Sequence, residues 1–262
     1  MVGPSLVIRV RGLTKRYGDV EAVAGIDLDV PGGSLTGFLG PNGAGKSTTL
    51  RMLTGMLPPT SGTITVHDID VIRDPLAVKR ITGYVPESGA VFETLTGREY
   101  LTLVAELYRL PLAEALARAR RFGELFQLDE RLLEREQLAA YSKGTRQKVV
   151  IISALLHRPK VLLFDEPLNG LDANATLAFK TLVTTLARDG TTILYCSHLL
   201  DIVERVCERV IVLNRGRVVA DGSAAALQAE TGEATLEAAF TRLTAAEDLA
   251  ARSQAIARAL SD

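Results

Sequence analysis

Phe38-Leu-Gly-Pro-Asn-Gly-Ala-Gly-Lys-Ser-Thr-Thr-Leu50 decides the fold. From Gly40 to Ser47 it reads G-x-x-x-x-G-K-[ST]. An apolar run, Leu35 to Leu39, precedes it, and Thr48, Leu50, Met52 and Leu53 begin a helical spacing after it. Strand, glycine-rich loop and helix form the context that a phosphate-binding loop requires. Gly40, Gly43 and Gly45 let the main chain approach a ligand closely. After Pro41, the loop N–H groups of Asn42, Gly43 and Ala44 and the N-terminus of the following helix, around Lys46, Ser47 and Thr48, then make a concavity for an anion. Lys46 can reach the terminal phosphates, and the Ser47 hydroxyl can hold Mg²⁺.

The rest of the chain is compatible with one large α/β domain. It has 262 residues, 47% of them hydrophobic and 23% charged, with a formal net charge of −1. That balance supplies no basic field for nucleic acid or anionic lipid. Aromatic residues are 5% and tryptophan is absent, which leaves little for base stacking. Cys196 and Cys207 sit in apolar segments and read as buried thiols, not as a disulfide framework. Met1-Val-Gly-Pro-Ser5 carries no basic stretch leading into an apolar one, so no signal peptide is expected. Apolar runs such as Val149 to Leu156 are under half a membrane span. A cytoplasmic protein follows, with any membrane crossing left to another polypeptide.

Leu6 to Val10, the alternating Ile26 to Val30, and Thr63 to Val66 read as strands with one wet face, with Thr14 to Asp19 as a turn between the first two. Asp74-Pro75 reads as a helix start, and Ile81 to Val85 as a further strand. From about Glu93 the period becomes helical. Thr96-x-x-Glu99 is a capping box, and Pro111 divides that helix from one over Leu112 to Phe126. Arg118, Arg120 and Arg121 read as a solvated face of the second helix. This block, about 93–148, is an all-helical insertion. The α/β alternation then resumes, with strands at Lys160 to Phe164 and Thr191 to Cys196, helices at Ala173 to Arg188 and Leu199 to Cys207, and a hairpin around Asn214-Arg-Gly216. The main domain is expected over 1–222. Residues 223–262 form a helical extension with periods through Leu236, Phe240 and Leu243 and again through Leu249, Ile256 and Leu260.

A phosphate loop needs a carboxylate for Mg²⁺ and a group that activates water. Val161-Leu-Leu-Phe-Asp165-Glu166 ends in both. Ligands of open α/β sheets bind beyond the carboxyl ends of the strands. Asp165 suits a metal ligand and Glu166 a general base for in-line attack on the γ-phosphate. His198 ends the next strand and could reach the same phosphate.

With these residues in place, the chain resembles the ATP-binding cassette (ABC) ATPase family over roughly residues 5 to 222. Tyr141-Ser142-Lys143-Gly144-Thr145-Arg146-Gln147 stands where that family has its signature, Gly170-Leu171-Asp172 where it has the D-loop, His198 at the switch histidine and Tyr17 at the adenine-stacking aromatic. The resemblance implies a P-loop NTPase core, a mixed sheet flanked by helices, with an antiparallel β subdomain and the inserted helical subdomain. It implies ATP and Mg²⁺ as cofactors, with Ser47, Glu87 and Asp165 toward the metal. It also implies a head-to-tail dimer in which ATP sits on Tyr17, Lys46 and Ser47 of one copy and on Ser142, Lys143 and Gly144 of the other. Glu87 stands where the family usually has glutamine, and Lys143 and Thr145 replace glycine and glutamine of the signature.

The Tyr-Ser-Lys-Gly signature and the long tail resemble the ATPase subunits of two-component exporters of drugs, antibiotics, polysaccharides or sodium. That implies a transmembrane permease partner, attachment to the inner face of the membrane, and no nucleic acid. Val91, Phe92, Leu95 and Tyr100 fall where such a partner would dock. The alternative is a soluble ABC ATPase acting on ribosomes or nucleic acid. Such proteins usually carry two cassettes, or a very long coiled coil between loop and signature. This chain has one phosphate loop and a short spacing to Ser142.

Overall fold

The computed structural model describes residues 5–89 and 91–244. In chain order the elements are β1 (Leu6–Tyr17), β2 (Val20–Pro31), β3 (Leu35–Leu39), α1 (Lys46–Leu53), β4 (Ser61–Val66), β5 (Ile69–Asp70), α2 (Pro75–Ile81), β6 (Thr82–Val85), α3 (Gly97–Leu107), α4 (Leu112–Leu125) and α5 (Glu130–Arg135). A 3-10 turn at Leu138–Ala140 leads into α6 (Lys143–Leu155), β7 (Val161–Asp165), α7 (Ala173–Arg188), β8 (Thr192–Cys196), α8 (Leu200–Val206), β9 (Arg209–Asn214), β10 (Arg217–Gly222), α9 (Ala224–Thr231) and α10 (Leu236–Thr244).

Two sheets result. One is antiparallel in the order β2-β1-β4-β5. The other runs β10-β9-β3-β8-β7-β6 and is mixed: the β9–β10 hairpin is antiparallel and every other pair is parallel. This is the α/β mixed sheet with a separate antiparallel sheet that the sequence leads one to expect.

Strands β3, β7 and β8 are buried at every residue, as strands covered on both faces must be. Alternation then divides their side chains between two cores. Phe38, Leu163, Leu194 and Ile211 face one way, with Leu50 and Met52 of α1 and the inner face of the antiparallel sheet. Leu39, Phe164, Tyr195 and Val212 face the other way, into α6, α7 and α8. Asp165 shares parity with Leu163 and therefore turns toward α1, where Ser47 stands. The strand's period thus selects which acid meets the phosphate loop.

Several expectations are corrected. The turn expected over Thr14 to Asp19 is confined to Gly18-Asp19: Thr14 to Tyr17 pair with Ala24, Val23, Glu21 and Val20 as the end of β1. Irregular register near Gly12 lets the strand bend and continue, and Gly18, at positive φ, makes the turn. The strand after α2 begins at Thr82, because Ile81 still closes the helix. Arg118 is not simply solvated. Its guanidinium donates to the Leu156 carbonyl at the end of α6, while Arg120 pairs with Glu130.

Two local expectations hold in detail. The Thr96–Glu99 capping box is formed in both directions, and Asp74 caps α2 with Pro75 behind it. α6 runs unbroken through position 148, so the helical block passes into the core along one helix. α9 and α10 bury Leu227 and Leu236 in the main core, with Phe240 and Leu243 packed against it. The periods through Leu249, Ile256 and Leu260 lie outside the described residues.

Candidate active site

The glycine-rich loop closes into a cradle because glycines stand where no side chain fits. A Cβ on Gly40 would lie 2.3 Å from the Leu213 carbonyl oxygen, and one on Gly45 2.4 Å from that of Ala22. Gly45 is also the N-cap of α1, at φ +104. The Ala44 N–H donates to the Pro41 oxygen at 3.1 Å, and the Thr49 hydroxyl closes onto the Gly45 carbonyl at 2.9 Å. Lys46 folds across the loop, its Nζ 2.6 Å from the Gly40 oxygen and 3.2 Å from that of Pro41.

This cradle forms one wall of a cavity of about 390 Å³. Asn42, Gly43, Ala44, Gly45, Lys46, Ser47 and Thr48 line it, with Ala22 from β2, Glu87 after β6, Asp165 at the end of β7 and Glu166 just beyond. Three separate loops therefore converge at the carboxyl ends of β3, β6 and β7, as the sequence pattern requires.

Asp165 is almost fully buried. Burial raises its pKa; the Ser47 hydroxyl pulls the other way, and Glu87 pushes up again. The hard oxygens of Ser47, Asp165 and Glu87 fit a hydrated magnesium ion that also takes phosphate oxygens. No cage of three or more acidic, histidine or cysteine side chains occurs among the described residues, and magnesium bound this way needs none.

Glu166 is the strained residue of the site. Its φ is +51, in the left-handed region that a glutamate rarely enters. Four hydrogen bonds hold it there. Its N–H donates to the Cys196 oxygen at 3.0 Å, and its carbonyl accepts from Asn169 N–H at 3.2 Å. The carboxylate Oε2 accepts the His198 backbone N–H at 3.3 Å and lies 2.7 Å from His198 Nδ1. Burial raises the Glu166 pKa and the contacts with His198 oppose it. A carboxylate in that setting is suited to take a proton from water near neutral pH.

The remaining expected residues lie elsewhere. Tyr17 stands at the tip of the β1–β2 hairpin, 48% exposed, with Lys15 Nζ 5.3 Å from its ring centre. The opposite strand of that hairpin supplies Ala22 to the cavity. Ser142, Lys143 and Gly144 stand apart from the cavity wall. Ser142 caps α6, accepting the Thr145 N–H at 3.1 Å, and remains exposed to solvent. Gly144 packs so closely on Gly170 that a Cβ would lie 2.2 Å from its carbonyl oxygen, while the Lys143 stem lies over Gly170. Gln147, which the sequence reading did not single out, is buried beside them and donates to the Pro167 oxygen at 3.1 Å. A buried amide at a fixed offset from the Ser142 cap was the available signal.

A family model described as ABC transporter matches residues 23–169. The daunorubicin resistance ATP-binding protein DrrA3 of Streptomyces coeruleorubidus is 39% identical over 225 residues, which cover 86% of this chain and 71% of that protein. The Nod factor export ATP-binding protein I of Rhizobium meliloti is 36% identical over 220 residues, 84% of this chain and 65% of that one. Among solved structures, the dimeric post-hydrolysis state of the ATP-binding cassette MJ0796 bound to ADP and Pi superposes with a TM-score of 0.76. It is 25% identical and covers 82% of this chain and 98% of that one.

Proposed function

This chain belongs to the ABC transporter family as an ATP-binding and ATP-hydrolysing subunit, and from that premise we propose that it drives an exporter through a magnesium-dependent, ATP-held dimer. The observation that carries the proposal is the division of the site. One half, from Gly40 to Thr48 with Asp165 and Glu166, lines a single cavity. The other half, Ser142 to Gly144, is presented outward from the start of α6. A helix N-terminus with a solvent-exposed serine hydroxyl suits a phosphate brought by a second copy.

In this reading the loop N–H groups and Lys46 hold the β- and γ-phosphates. Ser47, Asp165 and Glu87 hold the magnesium ion, which would neutralise charge on the phosphates. Glu166 accepts the proton of the attacking water, and His198 fixes its carboxylate and senses the γ-phosphate. Tyr17 offers its exposed ring to the adenine. Once the shared phosphate is cleaved, the contact between the two copies is lost and they separate.

Export is favoured by the relatives named for drug resistance and Nod factor export. A permease must supply the membrane span, since no helix among the described residues is long and apolar enough to cross a membrane. Phe92, 60% exposed on the loop before the helical block, is where that partner would dock, at the cytoplasmic face. The test is a tagged pull-down from detergent-solubilised native membranes. A polytopic protein in stoichiometric amount is expected. Recovery with ribosomes or nucleic acid instead would favour the soluble alternative.

A further inference from the structure

The N-terminal half of α6 does more than present Ser142. Gly144, Gln147 and Lys148 are spaced i, i+3, i+4 and so lie on one face of the helix. That face grips the whole loop from Glu166 to Asp172. Gly144 abuts the Gly170 carbonyl, Gln147 Nε2 donates to the Pro167 oxygen at 3.1 Å, and Lys148 Nζ lies 3.0 Å from Asp172 Oδ2. Asp172 in turn caps α7. The outer two contacts fix the far end of the loop. Of the three contacts from α6, the one made by Gln147 reaches the near end, one residue from Glu166.

Gln147 also reaches a third segment. A Cβ on Gly89 would lie 3.1 Å from Gln147 Oε1, so the loop that follows Glu87 rests on the same amide. Gly89 adopts φ +54 there and donates its N–H back to the Pro86 oxygen. The side chain is 2% exposed. Its amide thus stands between the helix that begins at Ser142, the turn that carries Glu166 and the loop that carries Glu87.

We propose that Gln147 is a positioning residue that locks Glu166 to the helix start of its own chain, so that docking of Ser142 on the partner's ATP sets the base at this chain's own ATP. The inference rests on the dimer reading above. Glu166 sits in a strained backbone conformation, and a turn of that kind keeps its geometry only while its neighbours over-determine it. Tilting α6 moves the Pro167 carbonyl through a single hydrogen bond. Each copy then hydrolyses its nucleotide in response to engagement at the other site.

The test uses the full chain with ATP and Mg²⁺. Steady-state hydrolysis is measured against ATP concentration for the parent, Gln147→Met and Gln147→Glu, with binding of a fluorescent ATP analogue and melting temperature alongside. Methionine keeps the volume and removes both polar atoms. Glutamate keeps an acceptor and loses the donor. The expected result is a kcat lower by roughly 10- to 100-fold, the scale of a small misplacement of a catalytic group. KM and analogue affinity stay unchanged, and the Hill coefficient falls to about one, as for independent sites. If the methionine variant fails to fold, the glutamate variant carries the test. A variant that melts earlier yet keeps the parent's kcat and Hill coefficient overturns the proposal and leaves Gln147 a packing residue. A parent that hydrolyses ATP without cooperativity overturns the dimer reading itself, and the coupling with it.

Discussion

One oxygen of Glu166 is shared by two donors of His198, its backbone N–H at 3.3 Å and its ring Nδ1 at 2.7 Å. The pair is asymmetric, for the carboxylate is buried while the ring is exposed. His198 therefore meets solvent and any ligand directly, while Glu166 is reached through its neighbours.

Removing the base follows directly. Glu166→Gln should lower kcat by about 10² to 10⁴, the range general-base catalysis supplies, while ATP binding persists. In the parent, the acid limb of kcat against pH should lie above the ordinary glutamate value of 4.5, because burial raises this pKa. The same shift bears on stability. The fold disfavours the ionised carboxylate, so this group's contribution is largest below its unfolded pKa and is lost as pH rises through the folded one. Glu166→Gln should accordingly melt higher than the parent at neutral pH. A lower melting point would mean that the bonds to His198 outweigh burial.

Gly144→Ala tests the seam between α6 and the 166–172 loop. In an exposed helix interior alanine is favoured over glycine by about 1 kcal/mol. Here the added methyl would lie 2.2 Å from the Gly170 carbonyl oxygen, backbone that cannot step aside. Overpacking of this kind costs about 1–3 kcal/mol, so the variant should unfold at lower urea and hydrolyse ATP slowly. Gly190→Ala, on the exposed turn after α7, is the control. Nothing beyond its chain neighbours lies within 4 Å of its Cβ, and only the strain at φ +96 remains.

His157 gives a pH signature remote from the chemistry. Its ring stacks on Tyr108 at 3.9 Å and its Nε2 lies 3.2 Å from the Thr82 oxygen, with Nδ1 buried and without a partner among the described residues. Burial lowers its pKa from 6.5 to about 4. The fold keeps the ring neutral while the unfolded chain takes a proton near 6.5. Its share of stability is therefore complete above pH 6.5 and drains away between 6.5 and about 4. His157→Phe should flatten the dependence of the urea midpoint on pH across that window. An unchanged slope would place the acid sensitivity elsewhere.

Glu87→Gln addresses the acid in the cavity wall. Glu87 raises the pKa of Asp165, so the two carboxylates feel each other. With both directed at one magnesium ion, the extra negative charge tightens metal binding. The variant should need several-fold more Mg²⁺ for half-maximal hydrolysis, as expected for the loss of about 1 kcal/mol of attraction. A Mg²⁺ titration that superimposes on the parent's would remove Glu87 from the metal.

The layout of the site was legible where chemistry is local in sequence. Gly40 to Thr48, Asp165-Glu166 and the Thr96 capping box each announce themselves within a few residues, and short-range hydrogen bonds make them what they are. The end of β1 was not legible, because Thr14-Lys-Arg-Tyr17 is polar and only its partner strand, with irregular register, makes it extended. Arg118 was misread for a related reason. Its acceptor, Leu156, lies far along the chain and on another helix. Gln147 shows the limit most clearly. An amide on a helix has an ordinary pattern, and its meaning comes from Pro167 and Gly89, which lie on opposite sides of it in sequence.

The inward fold of Lys46 gives the loop an internal strut. Its ammonium already holds two carbonyl oxygens, so meeting a phosphate is an exchange of partners for that charge. The lysine's net contribution to affinity is the difference between the two sets of contacts, and it is smaller than its charge suggests. Its larger effect is architectural: the same side chain that greets the nucleotide keeps Gly40 and Pro41 in the shape that lets them receive it.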